Sequence, residues 1–208
     1  MFGTHDFTLF LMAGITLNLL PGPDTLYIIG RSVAQGRQAG FFSVFGISTG
    51  SLVHTTAAAF GLSAILATSA TVFGVIRWLG AAYLIYLGIQ IFFQTDHGPS
   101  VDSTGEEAGA SLLKIYIQGM MTNLLNPKVA LFFMAFLPQF VAAERVSSPL
   151  PFLFLGGVFI FTGTLWCLFV AALAATTSKT LRSRSRSLRI ARRITGAVFV
   201  VLGIRLAR

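Results

Sequence analysis

Long apolar stretches separated by short polar ones divide the chain into candidate membrane segments. No Asp, Glu, Lys or Arg occurs between Arg37 and Arg77 or between Arg145 and Lys179, and each interval can hold a spanning helix of about 20 residues. The sixth apolar stretch has only 14 residues, so the pattern leaves open whether it crosses the bilayer completely. The pattern predicts six transmembrane helices, over about 7–30, 41–66, 77–93, 112–137, 151–175 and 194–207.

Two of these segments contain proline motifs that predict a break in the helix. The first motif runs from Asn18 to Asp24 and includes Pro21 and Pro23, and the second begins with Asn123, 105 positions after the first. A proline inside a helix removes a backbone donor and clashes with the preceding turn. Helices 1 and 4 should therefore each consist of two half-helices.

Each break also predicts a helix start inside the membrane. In the second motif, Asn126 is a favoured N-cap residue and Pro127 suits the first helical position after it. In the first motif, the new half-helix should begin after Gly22. A helix N-terminus presents unpaired N–H groups and the positive end of the helix dipole, so both breaks can bind an anion.

A change of composition separates the two motifs. Residues 94–111 are rich in Gly and Ser and contain four acids, which predicts an acidic flexible linker within a single membrane domain, 1–208. Residues 1–93 and 112–208 then each form a three-helix repeat, and an odd number of crossings inverts the second relative to the first. The sequence thus predicts an all-α polytopic membrane protein with a 3+3 inverted repeat, a common plan of secondary transporters.

Charge adds an orientation to this picture. The chain is 54% hydrophobic and 11% charged, so the basic pI near 10.6 reflects its loops and gives no indication of nucleic-acid binding. Positive loops favour the cytoplasm, which predicts an outside N-terminus and a cytoplasmic basic loop at 178–193, where anionic lipids can bind. Arg205 and Arg208 argue mildly against this orientation.

The motifs taken together resemble those of the LysE-type amino-acid translocators, which include lysine and homoserine/threonine exporters. The resemblance covers nearly the whole chain, and it implies proton-driven export of amino acids or their derivatives across the bacterial inner membrane, without a cofactor. The residues that carry it are Asn18–Asp24, Arg31, Gly36, Gly40, Gly46, Gly50, Asn123–Lys128, Phe132, Phe133, Leu137 and Pro138.

A free amino acid needs a negative and a positive pole in its binding site. Asp24 is the only acid in a predicted span and is a functional candidate because a buried carboxylate is costly; it can hold the substrate ammonium or carry the coupling proton. Lys128 can bind the carboxylate together with the half-helix N-termini. The candidate substrate-binding residues are Asn18, Gly22, Asp24, Asn123, Asn126 and Lys128.

Structural roles compete with these assignments. Asp24 can instead complement its helix dipole or form a fixed ion pair with Lys128. Asn18 and Asn123 can satisfy backbone groups that the breaks leave free. His54 is a second candidate proton carrier, since imidazole titrates near neutral pH, but a hydrogen-bonded histidine at a helix contact is the plainer interpretation. Three polar residues of helix 3 are open to both readings: Tyr83, Tyr86 and Gln90.

Other classes of protein explain less of the sequence. A membrane enzyme would need a nucleophile with a base or clustered acids, whereas His5, His54 and His97 are scattered, and Cys167 is a lone cysteine that provides neither a disulfide nor a metal cluster. A scaffold leaves the cost of Asp24 unexplained, and one carboxylate makes a poor site for divalent cations. A single acid within the predicted spans, Asp24, favours a zwitterionic substrate. The glycine-lined faces of the predicted helices suit internal packing and a homodimer equally.

Overall fold

The computed structural model describes residues 2–64 and 110–176, together with positions 71, 74, 75, 78, 82, 85, 86, 89, 200 and 204. Several sequence predictions therefore lie outside the described residues: most of helix 3 with Tyr83 and Gln90, nearly all of the linker, the basic loop 178–193 and most of the sixth segment. Tyr86 is described and is exposed. The described chain is helical, and its only β pairing is an isolated bridge between Thr4 and Val141.

The first half of the chain forms two helices. Helix α1 spans Phe7–Leu19 and helix α2 spans Pro23–Thr56, and a π-helical segment follows at Ala57–Leu62. Gly36 interrupts α2 with a φ of 84°, a left-handed conformation that glycine adopts without strain. The side chain of Ser32 lies against Gly40, so the chain folds back at this point. Arg31 and Arg37 lie between the first two predicted spans, and the sequence predicts a short basic loop there. A single glycine makes the turn instead.

The second half begins with a bent pair of helices. Helix α3 spans Leu112–Leu124 and helix α4 spans Pro127–Leu131, and a π-helical segment, Phe132–Phe136, and a 3-10 segment, Leu137–Phe140, continue α4. The axes on the two sides of the break differ by 50°. After a short 3-10 turn at Ala143–Arg145, helix α5 spans Pro149–Thr176.

Within the described ranges, α5 is the one helix that is long and apolar enough to cross a membrane on its own. The bent pair from Leu112 to Phe140 passes the same test if its two parts form one span, while α1 is apolar but shorter. Helix α5 has a nearly uniform apolar surface, as expected of a helix that faces lipid.

An aromatic cluster joins the ends of α1, α4 and α5. Phe132 stacks on Phe159 with ring centroids 4.4 Å apart, and Phe10 packs edge-on against Phe140 at 5.3 Å. The N-terminal segment closes over this cluster, because the N–H of His5 donates to the carbonyl of Phe140 at 3.0 Å. The cluster therefore fixes the positions of both broken regions relative to α5.

Glycines let α2 approach α3 closely. A Cβ on Gly46 would collide with the carbonyl of Tyr116, and one on Gly50 would lie 2.8 Å from the side chain of Asn123. His54 follows on the same face of α2, with Nε2 at 3.4 Å from the carbonyl oxygen of Asn123. This contact is the close helix packing that the four-residue spacing of Gly46, Gly50 and His54 predicts.

We expect Gly46→Ala to lower the thermal stability of the purified protein. The added methyl group must push α2 away from the α3 backbone, and overpacking of this kind costs about 1–3 kcal/mol. Gly61→Ala is the matched control, because a Cβ there meets no atom of the described residues within 4 Å. Melting in detergent, followed by the loss of the monodisperse peak on size exclusion, measures both; equal melting temperatures for the two variants would contradict the packing described here.

Candidate functional site

The two breaks meet at a cavity between α2 and α5. The centre of a water-sized probe can occupy about 40 Å³ of it. Apolar groups form one wall, with Phe159 and Ile160 from α5 and Ile47 from α2 among them. The polar lining comes from both halves of the chain: Asn18, Asp24, Ser48, Asn123, Lys128 and Thr164.

The first break places the N-terminus of α2 at this cavity. Gly22 is the N-cap residue, in an extended conformation with φ −143° and ψ −171°, and Pro23 follows within the first turn. Glycine has no side chain with which to cap the first N–H groups of the helix. Asp24 and Thr25, the next two residues, line the cavity. The break therefore presents a helix N-terminus and a carboxylate side by side.

The two oxygens of Asp24 differ in their surroundings. Oδ2 accepts a hydrogen bond of 2.8 Å from the side-chain amide of Asn123. Oδ1 is buried and has no hydrogen-bond partner in the part of the chain that the structure describes. One oxygen is thus held by Asn123, beside the second break, and the other is a buried acceptor without a partner among the described residues.

Lys128 reaches across from the second break to the first. Its Nζ donates to the carbonyls of Leu17 at 3.2 Å and Leu20 at 3.1 Å, at the end of α1. The Leu17 carbonyl also accepts the backbone N–H of Leu20 at 3.2 Å. A Cβ on Gly22 would lie 3.2 Å from this Nζ, so glycine leaves room for the ammonium. Within the described residues, Lys128 forms no ion pair shorter than 4.0 Å. The direct pair with Asp24 considered from the sequence is therefore not formed.

The second break begins with the cap that the sequence predicts. Oδ1 of Asn126 accepts a hydrogen bond of 3.0 Å from the backbone N–H of Lys128, and Pro127 occupies the first helical turn. Asn126 is only 2% exposed. Its remaining side-chain atom, Nδ2, is buried without a partner among the residues described. Asn126 therefore acts first as the N-cap of α4.

Asn18 and Asn123 make contacts that mirror each other. Asn18, in α1, donates to the hydroxyl of Thr162 in α5 at 3.3 Å and lies against Gly163. Asn123, in α3, accepts from the hydroxyl of Ser51 in α2 at 3.2 Å and lies against Gly50. Each asparagine thus connects its own broken region to the long helix contributed by the other half of the chain.

His54 lies beside the second break and is not among the residues that line the described cavity. Its ring stacks on Phe133 with centroids 5.8 Å apart and an interplanar angle of 15°. The imidazole thus contacts the ring of Phe133 and the main-chain carbonyl of Asn123. These contacts favour the helix-contact interpretation, although Asn123 also bonds to Asp24 and so connects the two titratable groups.

Several lining residues were not singled out by the sequence. The hydroxyls of Ser48 and Thr164 bond to each other at 2.8 Å, linking α2 to α5 across the cavity. Phe159 supplies part of the apolar wall, and Cys167 lies one turn beyond Thr164. Uncharged residues inside an apolar helix give no compositional signal.

The family model and the relatives that match the chain are described as translocators, efflux proteins or membrane proteins. The family model described as LysE type translocator matches residues 15–208. The membrane protein YrhP of Bacillus subtilis is 29% identical over 208 residues, covering 97% of this chain and 98% of that protein. The leucine efflux proteins of Salmonella typhimurium and Enterobacter sp. are each 26% identical, over 99% of this chain and 96% and 97% of theirs. No solved structure matches the chain at a significant level.

Proposed function

The chain belongs to the LysE type translocator family, and on this premise we propose that it exports neutral aliphatic amino acids such as leucine. As a member of this family it is a bacterial membrane transporter and not an enzyme. Relatives that match almost the full length of the chain carry the name leucine efflux protein. The observation that carries the proposal is the buried carboxylate oxygen of Asp24, which has no hydrogen-bond partner among the described residues, beside a helix N-terminus at this cavity.

The proposed site binds the two charges of a zwitterion at adjacent positions. Oδ1 of Asp24 accepts the substrate ammonium, since it is the acceptor that the second break leaves free. The substrate carboxylate binds at the N-terminus of α2, where Gly22 provides no cap, with the third N–H of Lys128 available to it. Asn18 lines the same space. Asn126 contributes indirectly by capping α4.

The apolar wall supports the choice of a neutral substrate. Ile47, Phe159 and Ile160 surround the cavity with hydrocarbon, which favours an aliphatic side chain through burial of apolar area. A lysine-like side chain would bring a second positive charge, and the described lining contains no carboxylate besides Asp24. The site therefore matches one ammonium, one carboxylate and an uncharged side chain.

We also propose the 3+3 inverted repeat of six spans, with helices 1 and 4 broken. The mirrored contacts of Asn18 with α5 and Asn123 with α2 support it, because a two-fold axis between the repeats would exchange these pairs. Export then proceeds by alternating access around the two breaks, driven by the proton gradient, with Asp24 as proton carrier and His54 as a second candidate. In this arrangement the N-terminus lies outside, the loop 178–193 lies in the cytoplasm, and the exposed face of α5 contacts lipid.

The test uses the native cysteine of the cavity. Cys167 is the single cysteine of the chain and lines the site, so its labelling by a small thiol reagent reports occupancy. We expect leucine to slow this labelling, whereas 4-methylpentanoate, which lacks the amine, and 3-methylbutylamine, which lacks the carboxylate, should not. Cys167→Ser provides the unlabelled background.

The same preparation tests transport. Proteoliposomes loaded with radiolabelled leucine should release it faster when a proton gradient is imposed, and empty liposomes set the leak. Protection by either single-charge analogue as strong as that by leucine would contradict the two-pole site. Absence of both leucine protection and leucine efflux would contradict the proposed substrate.

A further inference from the structure

Asn123 lies in the last turn of α3, just before the second break, and is almost completely buried, at 1% exposure. Both ends of its side-chain amide are used inside the protein. Nδ2 donates to Oδ2 of Asp24 at 2.8 Å, and Oδ1 accepts from the hydroxyl of Ser51 at 3.2 Å. The amide cannot turn over without facing its oxygen toward the carboxylate and its N–H groups toward the hydroxyl. These two bonds therefore fix its orientation.

This orientation has a consequence for Asp24. A carboxylate on a short side chain can rotate so that either oxygen faces the cavity, and each rotation changes where a bound ammonium would lie. The bond from Asn123 engages Oδ2 and leaves Oδ1 as the oxygen without a partner among the described residues. Hydrogen bonds to charged groups are stronger than neutral ones, so this contact is able to hold the carboxylate in one position.

The surroundings of Asn123 hold it rigidly in turn. A Cβ on Gly50 would lie 2.8 Å from both Cβ and Oδ1 of Asn123, so only glycine at position 50 lets α2 come this close. One turn further along α2, His54 contacts the main-chain carbonyl of Asn123 and stacks on Phe133. The amide is thus fixed from α2, while the group that it orients belongs to the first break.

We propose that Asn123 is a positioning residue, which sets the substrate affinity of the exporter by orienting the carboxylate of Asp24 and does not contact the substrate itself. The inference rests on the proposed function, in which Asp24 holds the substrate ammonium. It replaces the role of substrate ligand that the sequence suggested for Asn123. Burial at 1% exposure and the hydrogen bonds that both ends of the amide make inside the protein are the reasons for the change.

The first test is Asn123→Ala, assayed by leucine efflux from proteoliposomes at equal amounts of inserted protein. We expect the KM for leucine to rise about tenfold, because losing one hydrogen bond to a charged group is of that order. Thr122→Val is the matched control: Thr122 is the preceding residue of α3, valine is nearly isosteric with it, and among the described residues its hydroxyl bonds to the carbonyl of Gln118 in the same helix. Its KM should stay within twofold of wild type.

A second variant separates positioning from simple packing. Asp24→Asn combined with Asn123→Asp exchanges donor and acceptor and retains a hydrogen-bonded pair, but moves the carboxylate to the other helix. We expect the exchange to melt closer to wild type than Asn123→Asp alone, in which two carboxylates face each other. Efflux should not recover, because the cavity no longer has its carboxylate on α2.

Three outcomes would contradict either the positioning role of Asn123 or the proposed function. If wild type exports leucine but Asn123→Ala lowers only the maximal rate with an unchanged KM, Asn123 has a packing role and the inference is wrong. If the exchange variant restores efflux together with stability, the position of the carboxylate does not matter and the inference is equally wrong. If wild type itself shows no leucine efflux, the failure lies with the proposed function.

Discussion

Asp24→Asn should reduce leucine efflux driven by a proton gradient by about a hundredfold, the scale expected when one partner of a buried charged contact is removed. The amide is close in shape to the carboxylate but has no negative charge for the substrate ammonium and cannot release a proton. Its effect on folding should be small, since an amide oxygen can still accept the hydrogen bond from Asn123. The variant should therefore insert and melt like wild type while failing to transport.

Two controls make this result specific. Asp6→Asn removes an acid with an exposed side chain next to His5, at the start of α1, and should leave efflux unchanged. Asp24→Glu keeps the charge but moves it by one methylene group, so we expect partial activity with a raised KM. Efflux by Asp24→Asn within twofold of wild type would exclude Asp24 from both proposed roles, substrate binding and proton transfer.

The positions of the breaks could be predicted from the sequence because their causes are local. Proline in the interior of a helix breaks it, and Asn126 followed by Pro127 gives a helix start that needs no information from the rest of the chain. In the structure α2 starts at Pro23 and α4 at Pro127, the places that the motifs indicate. The family could be named from the same residues, since both motifs are specific.

The partners across the breaks could not be predicted in this way. Lys128 bonds to carbonyls more than a hundred positions earlier, and its long side chain could have reached Asp24 or the cavity equally well. Backbone carbonyls leave no trace in the sequence, so nothing marked Leu17 and Leu20 as its acceptors. The partners of Asn123 could not be predicted either, because its amide can bond to many polar groups and only the packing of α2 against α3 selects Asp24 and Ser51.

The turn at Gly36 could not be predicted from the sequence for a different reason. The sequence predicted a loop there from two flanking arginines, but charge indicates where a helix leaves the membrane and not how sharply the chain turns. One residue with positive φ makes the turn, and helix continues on both sides of it. Among 21 glycines, sequence alone does not distinguish the one that adopts this conformation from those that allow close packing.

Lys128→Met should abolish efflux and also destabilise the protein, in contrast to Asp24→Asn. Methionine has a similar length but no N–H, so the carbonyls of Leu17 and Leu20 both lose the hydrogen bond from Lys128, and Leu17 keeps only the one from the backbone N–H of Leu20. A buried carbonyl left unpaired costs about 1–3 kcal/mol. The variant also leaves Asp24 as an uncompensated charge at the cavity. Thermal melting in detergent and leucine efflux from proteoliposomes measure the two effects separately.

The double variant with Asp24→Asn and Lys128→Met distinguishes the two contributions to this loss. Removing the carboxylate of Asp24 should restore the stability that Lys128→Met loses through an uncompensated charge. It should not restore the stability lost with the hydrogen bonds from Lys128 to the carbonyls of Leu17 and Leu20, and efflux should stay absent. If Lys128 were only a ligand for the substrate carboxylate, Lys128→Met would raise the KM without changing the melting temperature. A melting temperature equal to that of wild type would therefore show that the bonds from Lys128 to the end of α1 are dispensable, and the first break would have to be held by its proline and glycine alone.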